Sequence, residues 1–111
     1  MMGIYHLYTG DDGQSHIDDL EPGDGLPPAR AAIGINFVTW PSDHFNDWHP
    51  APRQQYVIIL SGQLEIGLGD GTARQFGPGD ARLVEDTWGQ GHTTRVLGNE
   101  PAVMAFVALA D

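Results

Sequence analysis

Turn-forming residues divide this chain into runs too short for anything but β-strands. Of its 111 residues, 15 are glycine and 8 are proline, more than a fifth together, and they fall at intervals rather than in one block. No stretch between them sustains a helical period of apolar residues. "AIGINFVTW" (32–40), rich in β-branched and aromatic residues, reads as a strand, and "QYVIILSG" (55–62) as another. In "QLEIGL" (63–68), Leu64, Ile66 and Leu68 alternate with Gln63 and Glu65, the period of a strand with one buried face. "GDG" (69–71) fits a tight hairpin connection, because glycine tolerates the positive φ such turns require. "TARQFG" (72–77), the turn "PGD" (78–80), "ARLVED" (81–86), the loop "TWGQG" (87–91), "HTTRVLG" (92–98) and "AVMAFVALA" (102–110) continue the pattern. Some seven short strands spaced by turns make an all-β sandwich or barrel.

The length allows one domain and one core. The final run is apolar at both parities, which predicts cover on both faces: a central place in a sheet plus a subunit contact, and hence a homodimer. The segment 10–31 is acidic and broken by Pro27 and Pro28. Residues 1–31 are therefore expected to form an irregular N-terminal arm that accommodates one short strand, and residues 32–111 the barrel. The aspartates of the arm lack the alternation of oxygen ligands around a central glycine that a calcium loop needs, so a solvated loop is expected.

Fifteen acidic residues face five basic ones, all arginine, for a formal charge of −10. Such a surface repels phosphate backbones and anionic headgroups, which argues against nucleic acid and membrane as partners. The lack of lysine excludes Schiff-base chemistry, and the lack of cysteine excludes disulfides, thiolate nucleophiles and thiolate-bound metal. No apolar run approaches the roughly 20 residues that cross a bilayer. The N-terminal stretch has neither a basic start nor an apolar run, so a cytoplasmic location is expected. Any reactive site must be built from His, Asp, Glu, Asn, Gln and Tyr.

Of the histidines, His6 and His16 lie in or beside the arm, where a surface role is the ordinary expectation. His49 and His92 each stand where a turn-rich loop meets a strand, and the two strands they introduce are candidates to be neighbours. If Val57 and Ile59 point inward, alternation carries Gln55 to the same face and Tyr56, Ile58 and Leu60 to the other. Pro50 and Pro52 forbid regular ladder bonding, so a bulge or bend should set His49 at the barrel rim. Two imidazoles from His49 and His92 with the amide oxygen of Gln55 make a three-ligand site with open positions. Zn²⁺, Fe²⁺, Ni²⁺ or Mn²⁺ suits it.

The stretch from "WHPAPRQQYVIILSG" through "FGPGD" to "TWGQGHTTRV" resembles the two motifs of the cupins, small jelly-roll β-barrels also described as double-stranded β-helices. The resemblance spans residues 35–109. It implies that His49 takes the second place of the family's first histidine pair and His92 the place of its third histidine. Two positions depart from the pattern: Asp47 stands at the first histidine and Gln55 at the glutamate. An amide donates less well than a carboxylate, so Fe²⁺ or Mn²⁺ would be held less tightly.

The expectation for function is a metal-dependent oxygenase, isomerase or lyase acting on a small organic molecule, with His49 and His92 as the catalytic pair. The alternative is a metal-free small-molecule-binding barrel without catalysis, and between them lies an isomerase using the two histidines as acid and base. Trp40, His44, Trp48, Arg53 and Trp88 are candidates for the substrate pocket, through apolar walls, a further acid–base group, or a guanidinium fork for a carboxylate. Glu85 and Asp86 end their strand near the presumed mouth. Either could be a general base, but solvated carboxylates are the ordinary expectation.

Overall fold

A computed structural model of the chain describes residues 3–110. Ten strands run in chain order: β1 (Ile4–Thr9), β2 (Ser15–Asp19), β3 (Ala32–Trp40), β4 (Phe45–His49), β5 (Gln55–Ser61), β6 (Gln63–Gly67), β7 (Ala73–Phe76), β8 (Ala81–Glu85), β9 (His92–Leu97) and β10 (Ala102–Leu109). The only helical element described is one 3₁₀ turn, Gly23–Gly25. Among the described residues no helix is long and apolar enough to cross a membrane. The strands form a six-stranded sheet, β2-β1-β8-β5-β10-β3, and a four-stranded sheet, β4-β9-β6-β7. The fold is an all-β sandwich of two sheets, a double-stranded β-helix.

Period-2 alternation builds the core. In β5, Gln55, Val57 and Ile59 are buried while Tyr56 and Ile58 are half-buried and Leu60 is exposed, as the apolar pattern predicts. Leu64 and Ile66 of β6 and Val96 of β9 meet them from the second sheet, and Phe76 and Met104 complete the same cluster. The last strand lies between β5 and β3, so its apolar residues at both parities have a sheet neighbour on each side. Pairing with β5 sets Met104 opposite Ile59 and Phe106 opposite Val57, on the core face.

The N-terminal segment is more ordered than its composition suggests. Two strands form where an irregular arm with at most one short strand is expected. β1 runs parallel to β8 from Ile4 opposite Ala81 to Tyr8 opposite Glu85, and β2 pairs antiparallel with β1 at the sheet edge. Leu7 is fully buried in the core, and Tyr5 packs edge-on to Phe76 at 4.8 Å between ring centres. Parallel pairing between segments over 70 residues apart leaves no local signature, which is why "IYHLYT" does not announce itself. The connection from β2 must then reach β3 at the opposite edge of the same sheet. Arg30 ties it down, donating to Glu85 at 3.1 Å and to the side-chain oxygen of Gln54.

At that far edge the outward face of β3 is apolar and uncovered: Ile33, Ile35 and Phe37 are all more than half exposed. A Leu7→Ala replacement is expected to cost about 2–5 kcal/mol in urea unfolding, the range for a large-to-small change in a packed core. A loss below about 0.5 kcal/mol, as at a loop surface, would show that β1 is not part of the folded unit.

Candidate functional site

The two imidazoles meet because of a defect in one ladder. β4 pairs antiparallel with β9, with Asn46 opposite Thr94 and His49 opposite His92, so three steps on β4 face two on β9. In an unbroken strand, Asn46 and Trp48 would share a face and His49 would point away. The extra residue reverses the parity beyond it, as a β-bulge does. His49 therefore turns inward beside His92, whose face carries buried Thr94 and Val96, and Trp48 is turned out to solvent. The rings sit 4.7 Å apart between centres at 52°. The bend expected at His49 is thus present, but β4, not β5, is the neighbour of β9.

The chain also clears room for this pair. Gly91, immediately before His92, has φ +78°, and a Cβ there would overlap the carbonyl group of His49 and the nitrogen of Pro50. Only glycine allows the β9 backbone to start this close to the end of β4.

Each imidazole is oriented through its Nδ1. His92 Nδ1 lies 2.5 Å from Asp86 Oδ2, and the same oxygen accepts a hydrogen bond from Ser15 Oγ at 2.6 Å. Asp86 is completely buried, so the expectation of a solvated carboxylate does not hold: the chain turns inward after β8, and Ala51 N–H donates to the Asp86 carbonyl at 2.8 Å. His49 Nδ1 lies 2.6 Å from the Asp47 carbonyl oxygen. An oxygen acceptor at Nδ1 places the proton there in both rings and leaves Nε2 with a free lone pair. Glu85 faces the other side of its sheet, paired with His6 at 2.8 Å and with Arg30.

The pair opens on a cavity of about 540 Å³. Gln55 reaches into it from β5, with Val57 behind it and Val84 across the ladder, and Trp40, Phe45 and Phe106 supply aromatic wall. Gln55, His49 and His92 are thus brought to one chamber, as the parity argument requires. Asp47 lines it as well, but its carboxylate already accepts the Trp48 N–H at 2.9 Å. Trp40 lines the wall with His44 stacked on it at 4.5 Å, and His44 Nε2 meets the Asn46 side-chain oxygen at 3.0 Å, so His44 supports the wall. Trp48, Arg53 and Trp88 are exposed and lie outside the lining, Trp48 because of the bulge and the other two because they sit on surface turns. Among the described residues no group of three or more His, Cys, Asp or Glu side chains is placed to hold a metal ion. A metal here would rest on His49 Nε2, His92 Nε2 and the Gln55 amide.

Sequence reasoning passed over Arg82. It alternates inward with Val84 from β8, stands opposite Val57, and lines the cavity one layer below Gln55. It is buried, with its guanidinium over the Phe76 ring at 5.3 Å. Its Nε and Nη1 are shielded from solvent and make no hydrogen bond. Burial lowers its pKa to about 10 against the opposing pull of Asp86 and Asp80, so it is cationic at neutral pH. The signal was ambiguous because "ARLVE" is apolar at both parities.

No family model and no curated protein sequence matches the chain. Solved structures do. The chain is similar to a conserved Streptococcus pyogenes protein of unknown function, at 20% identity and a TM-score of 0.53 over 75% of this chain and 68% of the other. It is similar to an uncharacterized Klebsiella pneumoniae protein with a double-stranded β-helix domain, at 20% identity and a TM-score of 0.53 over 83% of this chain and 90% of the other. A Neisseria meningitidis protein matches at 14% identity and a TM-score of 0.51, over 75% and 79%. These likenesses establish the double-stranded β-helix fold.

A Gly91→Ala replacement is expected to lower stability by about 2 kcal/mol or more, combining a positive-φ penalty with backbone overlap. It should also displace the imidazole NMR resonances of His49 and His92 together. Unchanged resonances with full stability would mean that the close approach of β9 to His49 does not position the pair.

Proposed function

We propose that the chain is a small cupin-type protein that holds a divalent metal and a small organic ligand at the mouth of its barrel. The observation that carries this reading is the pair of neighbouring imidazoles, each tied at Nδ1 to an oxygen and each with Nε2 free. That is the way metal-binding histidines are held, with the outer partner fixing the tautomer and raising the basicity of the inner nitrogen. His49, His92 and Gln55 would be the protein ligands, which leaves open positions for the organic molecule. When bound, the metal would act as a Lewis acid toward an oxygen of that molecule, supporting isomerase, lyase or oxygenase chemistry.

The chain's own residues do the rest. Asp86 and Ser15 hold the His92 ring, Trp40, Phe45 and Phe106 exclude water from the apolar part of the ligand, and Gln55 offers an amide where a carboxylate would add a charge. The neutral third ligand favours Zn²⁺ or Ni²⁺ over ions that depend more on negative oxygen donors.

A second reading rests on the Ser15–Asp86–His92 chain. A buried carboxylate holding an imidazole with its far nitrogen free is also the arrangement of a metal-independent general base. On that reading His92 takes a proton from one atom of the ligand at Nε2, and the resulting imidazolium, held by the Asp86 carboxylate, returns it to another atom of the ligand.

Protein purified without an affinity tag is expected to bind about one equivalent of metal. Metal at 100 times its Kd should then stabilise the fold by about 2.7 kcal/mol, roughly 10 °C in a domain of this size. His49→Ala and His92→Ala should each remove that stabilisation. Binding below about a tenth of an equivalent after loading, with no thermal shift, would leave the metal-independent reading.

We further propose that two copies associate through β3. Antiparallel pairing of one edge strand with its own copy is two-fold symmetric by construction. β3 carries no charged residue, so two chains of formal charge −10 can approach there with the least repulsion, covering Ile33, Ile35 and Phe37. Light scattering should give twice the 12.0 kDa monomer mass for the native chain and the monomer mass for Phe37→Glu. A native chain that stays monomeric would remove the dimer.

A further inference from the structure

We propose that Arg82 anchors the carboxylate of the cavity's organic ligand, which makes that ligand a small monoanionic carboxylate with an apolar or aromatic body. The inference rests on the reading of the cavity as a small-molecule site, and it adds the substrate class.

The geometry is unusual for an arginine with only a structural role. Two carboxylates lie in its neighbourhood, yet neither is spent on it. Asp80 accepts the backbone N–H of Gly3 at 2.8 Å through Oδ1 and that of Gly77 at 2.7 Å through Oδ2. Asp86 serves Ser15 and His92 through Oδ2. Arg82 takes part in none of the ion pairs found among the described residues. The Phe76 ring lies 5.3 Å from the guanidinium carbon, but a ring face offers no acceptor for the in-plane N–H donors of the fork. The result is a buried cation in the lining of the chamber, near the tryptophan, phenylalanine and valine of its apolar wall, with Nε and Nη1 unpartnered and shielded from solvent. Asp86 and Asp80 offset part of its charge, but its Nε and Nη1 go without acceptors, which is unfavourable for a buried cation, whereas a carboxylate arriving with the ligand would add one.

The charge count limits the anion. Arg82 is the only lysine or arginine in the lining, Asp47 shares the chamber, and the chain as a whole is acidic. A dianionic phosphate would meet one cation in a negative field, whereas a single carboxylate is matched. Position supplies the rest. Arg82 pairs with Val57 and Gln55 with Val84, so the guanidinium's strand position lies two residues, roughly 7 Å, deeper than the Gln55 layer. A ligand held by its carboxylate at Arg82 would extend past Phe106 and Trp40, bringing a carbon or oxygen several bonds from the carboxylate to His49 and His92.

Benzoate and its uncharged isostere benzamide test this, in metal-chelated protein so that coordination at the histidines cannot mimic the effect. Benzoate should bind the native chain at least tenfold more tightly than benzamide and should shift the Arg82 Nε–Hε NMR resonance. In Arg82→Met the preference should vanish, with benzoate weakened at least tenfold, while the melting temperature without ligand stays equal to the native value or rises. Equal binding of the two probes, or an Arg82 resonance unmoved at benzoate saturation, would overturn the proposal but leave the cavity as a ligand site. Failure of both probes to move any resonance of Arg82, Gln55 or His92 would overturn the proposal and the reading of the cavity as a ligand site together. Should Arg82→Met not fold, the titration of the native Nε–Hε resonance still decides, and a guanidinium satisfied by water only would show no response to benzoate.

Discussion

One extra residue between Asn46 and His49 is the constraint on which the site depends. Without it the β4–β9 ladder would continue in register, and the indole of Trp48, not the imidazole of His49, would face the chamber. The bulge is made possible from both sides. Pro50 ends regular pairing immediately after His49, and Gly91 lets the β9 backbone come up against the His49 carbonyl. A local loss of ladder hydrogen bonding is thereby converted into a cross-strand pair of histidines. Their separation is set by backbone geometry, not by flexible loops, which gives a site its precision.

The barrel carries an unusual burden of buried polarity for its size. Ser15, Gln55, Asp80, Arg82, Asp86, His92 and Thr94 are all buried, and most of them surround the same chamber. One of these groups is structural: Asp80 closes the Gly77–Asp80 turn and ties it to Gly3. Thr94 lines the chamber, two residues beyond His92 on the same face of β9. The remainder, with His49, form a directed network in which Ser15 and Asp86 orient His92, while Gln55 and Arg82 present groups to the cavity. Arg82 and the unpartnered Oδ1 of Asp86 lower stability where they stand, since a buried polar atom without a partner forfeits its hydration. Stability of the fold must then come from the apolar layer beneath, where Leu64, Ile66, Ile59, Met104 and Leu7 are sealed from water.

The N-terminal strands connect these two layers. β1 extends the six-stranded sheet past β8, and β2 brings Ser15 under Asp86, so the carboxylate that orients the catalytic candidate His92 is itself held by a residue 71 positions away. Composition pointed to a solvated acidic arm there, and the acidic residues are indeed mostly at the surface. What the composition hid was the role of Tyr5 and Leu7, which share the inward face of β1, and of Ser15, buried at the start of β2, recognisable only once β8 supplies a parallel neighbour.

Much of the barrel was legible in the chain itself. Alternation in "QYVIIL" and "QLEIGL", turns at "GDG" and "PGD", and the doubly apolar last strand are local properties, written at a period of two residues and punctuated by glycine and proline. They determined strand positions, the inward side of β5 and hence the placing of Gln55 beside Val57. Parity on either side of a bulge, the long-range parallel pairing of β1 and the inward turn of Asp86 and Arg82 are not local. Each depends on which strand lies alongside and in what register, and a one-residue shift sends the same side chain to the opposite face. The sequence alone therefore determined an acidic, cysteine-free β domain with two well-placed histidines. Only the tertiary structure decided that Trp48 faces out, that Asp86 holds His92, and that a buried arginine waits in the same chamber.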